Sequence, residues 1–374
     1  MKKIYKYIPL SLLALTSGLY SCKNADNDFD DYEGGVSVYF PYQRPVRTLV
    51  MGEDTYDTKL DNEHKCKIST IMGGAYKGKD IKVDIAKDET LLTNLYFNSG
   101  VHKGQKVEAM PESYYSLSSM TMDFGGNMSG SVEVSFSDEF FNDPKAVTGG
   151  YVIPLVITNQ TGAAKINTGV YDTEVYTSAP SRTNSGAWKE QPMDYTLFCV
   201  RYISKYEGYF MRRITNFNGK DSIHVAALPE LPDYPVAVGD YRYQQGNDSI
   251  RKYYIRNANE PIRGTKTVNL NTVTYDAEIN AKEAGFDNKV YGLVLDFATG
   301  QISAPDGASY AVSGSCEYKD HSETKAWGNK DRDGMYLDYT VSDGDNSISV
   351  KETLVAQRRG IVLETFETAY KTGE

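Results

Sequence analysis

Three groups of residues in this chain carry chemistry by type and spacing. The first is a single thiol. Leu19-Tyr20-Ser21-Cys22 reads as a lipoprotein cleavage box, because the small Ser21 gives a peptidase access to the bond before Cys22, whose sulfur then takes a diacylglyceryl group. Lys2, Lys3 and Lys6 form a positive leader, and the apolar run from Ile8 to Leu19 has the length of a signal-peptide core and is too short to cross a bilayer. Each buried methylene contributes about 0.8 kcal/mol, so two or three acyl chains on Cys22 would hold the chain on a membrane.

The second group is Asn329-x-Asp331-x-Asp333-Gly334, which matches the first half of a calcium loop with alternate oxygens converging before a glycine turn. Thr340 stands where the closing bidentate glutamate of an EF-hand would be, so a polar hairpin turn is the preferred reading. The third group is aromatic: 30 Tyr against 13 Phe and 2 Trp. Tyrosine offers a flat apolar face and a hydroxyl, which suits both the rims of β-sheets and polar ring-shaped ligands.

Catalytic motifs are missing from the sequence. It has no GxSxG, HExxH or Walker loop, and no carboxylate pair is marked by context among its 50 acids. The expectation is therefore a non-enzyme without a cofactor. Removing residues 1–21, which hold three lysines and no acid, takes the formal charge from −10 to −13 and argues against a nucleic-acid partner. Of the cysteines after Cys22, Cys66, Cys199 and Cys316 read as three buried thiols, with a Cys199–Cys316 disulfide as the alternative.

The elements that must position these groups are strands. Residues 22–35 are acidic and end in Gly-Gly, which cannot support a core and makes a tether. From Val36 short strands follow one another, and Ser131 to Phe136 alternates apolar and polar as a half-buried antiparallel strand does. Residues 36–160 are thus expected to form an immunoglobulin-like sandwich, and the Thr-, Ser- and Gly-rich stretch 161–192 a linker. Residues 193–360 open with Tyr195 to Ile203 and run through many strands with short turns, including the alternating Met335 to Val341. This pattern predicts a closed antiparallel β-barrel of lipocalin or calycin type, because closure removes exposed edges; a second sandwich is the runner-up. Residues 361–374 are read as a tail. The fold class is all-β.

A resemblance follows from the lipobox and acidic tether, Val38-Tyr39-Phe40, Tyr151-Val152-Ile153-Pro154-Leu155, Tyr206-Glu207-Gly208-Tyr209-Phe210-Met211-Arg212-Arg213, Val312-Ser313-Gly314 and Trp327-Gly328-Asn329-Lys330. Together these resemble the two-domain lipoproteins of Bacteroidetes glycan-utilisation loci, whose domains have no assigned function. The resemblance implies a lipid anchor in the outer membrane, a body facing the cell exterior, a glycan ligand and an importer complex as partner. Glycan binding would use aromatic platforms, since a pyranose packs its apolar C–H face on a ring. The candidates are Trp327 and Trp188, with Tyr206, Tyr209, Tyr241 and Tyr243 behind them. Packing roles compete: Trp327 as a core or turn residue, and Trp188 as an anchor docking the linker on the second domain. A structural subunit that binds protein, or a glycosidase with an unmarked carboxylate pair, are the other functional readings.

Overall fold

The computed structural model describes residues 30–217, 242–243, 253–254, 262–281, 286–326, 330–361 and 364–371. Cys22, Trp327, Asn329 and Tyr241 lie outside them, as does the side chain of Tyr243.

The first domain is a sandwich of two sheets around one core. One sheet runs in the order Lys165–Ile166, Ser37–Tyr39, Lys65–Gly73, Ser129–Phe136, Tyr115–Leu117. Its central strands alternate buried and exposed residues as their sequence alternates. The other sheet runs Glu364–Thr365, Pro45–Val50, Tyr195–Ile203, Tyr151–Thr161, Lys82–Lys87, Thr121–Asp123, with Glu108–Ala109 also paired to Tyr151–Thr161. Phe40, Ile68, Val134, Phe140 and Tyr202 meet in the core between the sheets, and the Tyr202 hydroxyl donates to the Phe141 carbonyl at 2.6 Å.

Three expected boundaries move. Tyr195–Ile203 does not open the barrel; it pairs antiparallel with Tyr151–Thr161 and in parallel with Pro45–Val50 at the centre of the sandwich. The reason is visible in its composition: a nearly continuous apolar run is buried on both faces. Phe198, Val200 and Tyr202 enter the main core, while Tyr195, Leu197 and Cys199 pack on a second cluster with Val152, Val156 and Phe366. The stretch 161–192 is an excursion within the sandwich rather than an interdomain linker, since Lys165–Ile166 pairs with Ser37–Tyr39 and Val170–Tyr171 with Trp188–Glu190. The expected tail also returns to the sandwich, Glu364–Thr365 on Pro45–Val50 and Thr368–Tyr370 on Leu95–Phe97. The barrel is therefore joined to the sandwich at both of its ends.

The second domain is the closed antiparallel barrel that the turn spacing predicts. Its eight strands follow chain order: Gly208–Phe217, Ile262–Asn269, Thr272–Ala281, Phe286–Asp296, Gln301–Ser303, Ala311–Glu323, Arg332–Asp343 and Asn346–Arg358. The last strand closes on the first. Alternate residues fill the interior, among them Val273, Tyr275, Leu293, Leu295, Leu337, Tyr339, Val350 and Leu354. A buried ion pair sits among them: the Arg212 guanidinium meets Glu352, which also accepts the Tyr339 hydroxyl at 2.9 Å. Burial opposes the charge on Arg212, but the Glu352 carboxylate keeps it firmly protonated.

Cys66 and Cys199 lie in the sandwich and Cys316 in the barrel, and all three are free and buried. The Cys199–Cys316 disulfide is not formed, because the two residues belong to different domains. Burial pushes the Cys66 and Cys199 thiols up to about 12 and the Cys316 thiol up to about 11, so they are inert packing groups.

Candidate functional site

The site is built where the sandwich hands the chain to the barrel. After Ile203 a turn over Ser204–Gly208 is locked by side chains: the Ser204 amide donates to Thr267 Oγ1 at 2.8 Å and its hydroxyl to the Leu270 carbonyl at 2.7 Å. Glu207 accepts the Thr267 amide at 2.7 Å, and the Thr265 hydroxyl donates to the Tyr206 carbonyl at 2.7 Å. The Tyr206-Glu207-Gly208 motif is thus a turn lock. Tyr206 itself is buried, stacked on Phe297 with ring centroids 4.1 Å apart and edge-on to Tyr318. It is a core residue and not a ligand platform.

Three residues along, on the first barrel strand, Tyr209 is 41% exposed. Its ring is framed by the end of the last strand. The Arg358 guanidinium carbon lies 5.0 Å from the ring centroid. Gly360 adopts φ +74°, and a Cβ there would fall 2.4 Å from Tyr209 Cε2, so only glycine leaves the ring its place. Arg359, between them, turns inward and ties the domains together: its Nη1 donates to the Lys205 carbonyl at 2.8 Å, and its Nη2 to the Met51 carbonyl at 3.0 Å and to the Ser204 carbonyl.

The sandwich supplies a facing loop, Glu53 to Tyr56. Asn62 holds its root, accepting the Gly52 amide at 2.7 Å and donating to the Gly52 carbonyl at 2.9 Å. Behind it Asp61 is buried against Arg47 and accepts the Val50 amide at 2.9 Å. Tyr56 projects from this loop, 45% exposed. The third wall comes from the barrel hairpin. Asp333 accepts the Tyr318 hydroxyl at 2.6 Å and the His321 amide at 2.9 Å, while Asp331 accepts the Lys325 amide at 2.8 Å. Burial and the Asp333 carboxylate both push the Tyr318 hydroxyl up. His321 reaches back to the sandwich, its Nε2 3.3 Å from Glu53.

These walls enclose a cleft of about 860 Å³, lined by Glu53 to Tyr56, Lys205, Tyr209, Tyr318, His321, Asp331, Asp333 and Arg358 to Ile361, among others. Its size suits an oligosaccharide segment or another drug-sized ligand. Of the sequence candidates, the cleft collects Tyr209, Asp331 and Asp333. The two aspartates secure turns, and no group of three or more potential metal ligands occurs among the described residues.

Trp188 stands elsewhere. Its indole N–H donates to the Ser181 carbonyl at 2.9 Å and its ring meets Tyr171 edge-on at 5.7 Å, so it pins the sandwich excursion to itself and does not dock anything on the barrel. Sequence reasoning missed Tyr56, Lys205, His321, Arg358, Arg359 and Gly360. The available signal was Arg358-Arg359-Gly360 at the close of the last strand, two guanidinium groups before a glycine.

Two family models match the chain, one described as an N-terminal domain over residues 30–164 and one as a domain of unknown function, DUF5627, over residues 205–360. The strand Tyr195–Ile203 falls between them. Among solved structures, a protein of unknown function from Bacteroides ovatus is 29% identical and superposes with a TM-score of 0.71 over 91% of this chain and 100% of its own. A multidomain protein including DUF1735 from the same species is 14% identical, covering 86% of this chain and 92% of its own, with a TM-score of 0.32. An auxiliary nutrient binding protein from Bacteroides thetaiotaomicron is 13% identical, covering 83% and 90%, with a TM-score of 0.31. A comparison with curated proteins gives no match. The two models and the full-length likeness to the Bacteroides ovatus protein fit a two-domain family of the Bacteroidetes.

Proposed function

We propose that this chain is a non-catalytic lipoprotein, anchored through Cys22 on the outer face of the outer membrane, that binds glycan in the cleft between its two domains and serves nutrient uptake beside an importer. The observation that carries the reading is Tyr209: a half-exposed ring, held in place by Arg358 and Gly360, on the wall of a cleft of about 860 Å³. A pyranose would lay its apolar face on this ring, and the guanidinium and carboxylate groups around it would bond its hydroxyls. The lipobox and acidic tether support the anchoring.

The test is titration calorimetry of the soluble body, from Gly34 onward, against a panel of oligosaccharides. Tyr209→Ala is expected to weaken binding tenfold or more with little change in melting temperature, whereas Trp188→Ala leaves affinity unchanged. Equal affinity for the wild type and Tyr209→Ala would move the site elsewhere. If no glycan binds and an importer subunit co-purifies with the body, the chain is a structural subunit. For the anchor, Cys22→Ala should release the protein from membranes, and protease added to intact cells should digest the body.

A further inference from the structure

The charges of the cleft are not evenly satisfied. Many cations of the described chain meet a carboxylate: Arg47 with Asp61, Lys79 with Asp31, Arg182 with Asp194, Arg201 with Glu364 and Arg263 with Glu278 are examples. Lys205, Arg358 and Arg359 are different. Lys205 Nζ rests over the rings of Tyr206 and Tyr318 at 5.2 and 4.9 Å, Arg358 over Tyr209, and Arg359 bonds only carbonyl oxygens. None of the three forms an ion pair within the described residues. The Nε of Arg359 is buried without a hydrogen-bond partner.

A guanidinium taken out of water without a counter-ion is costly, and carbonyl dipoles replace its hydration only in part. Burial holds Arg359 below the usual arginine range, with Asp54 and Glu207 acting on it only through space. The acids that line the same cleft make hydrogen bonds elsewhere and no ion pair with these three cations. Asp333 serves Tyr318 and His321, Asp331 serves the Lys325 amide, Asp54 accepts the Thr55 amide, and Glu53 faces His321. One wall of the cleft therefore carries three cations with no paired acid, although the chain after residue 21 has a formal charge of −13.

The geometry points to an anionic saccharide as the ligand of this cleft, a chain whose sugars bear carboxylate or sulfate groups that sit against Lys205 and Arg358, with the Arg359 charge behind them, while a ring stacks on Tyr209. This rests on the cleft being the glycan site and adds the ligand's charge. Arginine forks suit carboxylate and sulfate oxygens alike, so the two sources share one chemistry here.

The experiment uses charge-matched pairs on the intact body: an oligogalacturonide against its methyl ester, and a heparin hexasaccharide against its desulfated form. In at least one pair the anionic member is expected to bind tenfold or more tighter, and the pair that does so identifies carboxylate or sulfate. Arg358→Gln and Lys205→Gln, both at positions with solvent access, should each weaken the anionic member threefold to tenfold more than they weaken its neutral partner. Arg358→Lys should restore part of the loss. Arg359 is left intact because it also holds the domain junction. Tyr209-dependent binding of both neutral members with no preference for charge would overturn the anionic ligand and keep the cleft as a glycan site. Absence of binding by all four probes would overturn both.

Discussion

The guanidinium of Arg358 stands over the ring of Tyr209, 5.0 Å from its centroid, and the backbone turns away two residues later at Gly360. The ring is thereby fixed before any ligand arrives, and a fixed ring loses little freedom on binding.

Gly360→Ala tests that relationship. An L-residue at φ +74° costs about 1 kcal/mol, and the added methyl would press on Tyr209 Cε2. The expected outcome is a melting temperature lowered by a few degrees and a loss of glycan affinity of at least threefold. Unchanged affinity in calorimetry would show that the position of the ring does not matter.

Inside the barrel, Arg212 and Glu352 are both almost fully buried. Removing one partner strands the other's charge, so Glu352→Ala should destabilise the barrel by about 3 to 5 kcal/mol. Replacing the cluster as a whole, with Arg212→Met, Glu352→Leu and Tyr339→Phe together, should recover more than half of that loss, since the pair's own desolvation is then relieved. Urea denaturation of both variants measures the difference. A triple variant no more stable than Glu352→Ala would contradict this account of the pair.

Acid sensitivity should show at Asp143. Partial burial works against its charge, but the Lys145 amide and the Tyr151 and Tyr114 hydroxyls outweigh that and hold the carboxyl below its ordinary value. A depressed carboxylate contributes stability above its unfolded pKa and loses it as pH falls through the folded one. Asp143→Asn keeps the shape and removes the charge. It should cost about 1 kcal/mol at pH 7, allowing for solvent screening, and progressively less as pH falls through the lowered folded pKa. A penalty independent of pH would assign the effect to shape.

Much of this architecture was legible because alternation marks a strand with one buried face. Met335 to Val341 reads that way and lies in the barrel wall, with Met335, Leu337, Tyr339 and Val341 inside. Tyr195–Ile203 was misplaced because a strand buried on both faces has no alternation to show which sheet takes it. The cleft was hardly legible at all. It draws on residues 53–56, 205, 209–210, 318, 321, 330–333 and 356–361, and nothing in any one segment announces the others. Tyr209 could be named as one tyrosine of 30, but its exposure depends on Gly360 and its neighbours on barrel closure. Tyr206, three positions earlier, has the same side chain and is buried by Phe297.

Arg359 makes the last prediction. It reaches from the end of the barrel to the Met51 carbonyl in the sandwich and to the Ser204 and Lys205 carbonyls in the connecting turn, so one side chain holds three carbonyls on both sides of the junction. The chain itself crosses that junction twice, at Ile203–Ser204 and between Ile361 and Glu364. Hydrogen bonds from a charged donor contribute roughly 1.5 to 3 kcal/mol each, but desolvation of an unpaired guanidinium offsets much of that sum. Arg359→Met should therefore change total stability little and change coupling a great deal. In the wild type, calorimetry is expected to show a single cooperative transition; in Arg359→Met it should split in two, with the barrel and sandwich melting apart. Because the walls of the cleft belong to different domains, glycan affinity should fall along with the coupling. A variant that still melts in one transition at the wild-type temperature would mean that the two chain crossings, with Gly52 packed on Lys205, hold the junction without the guanidinium.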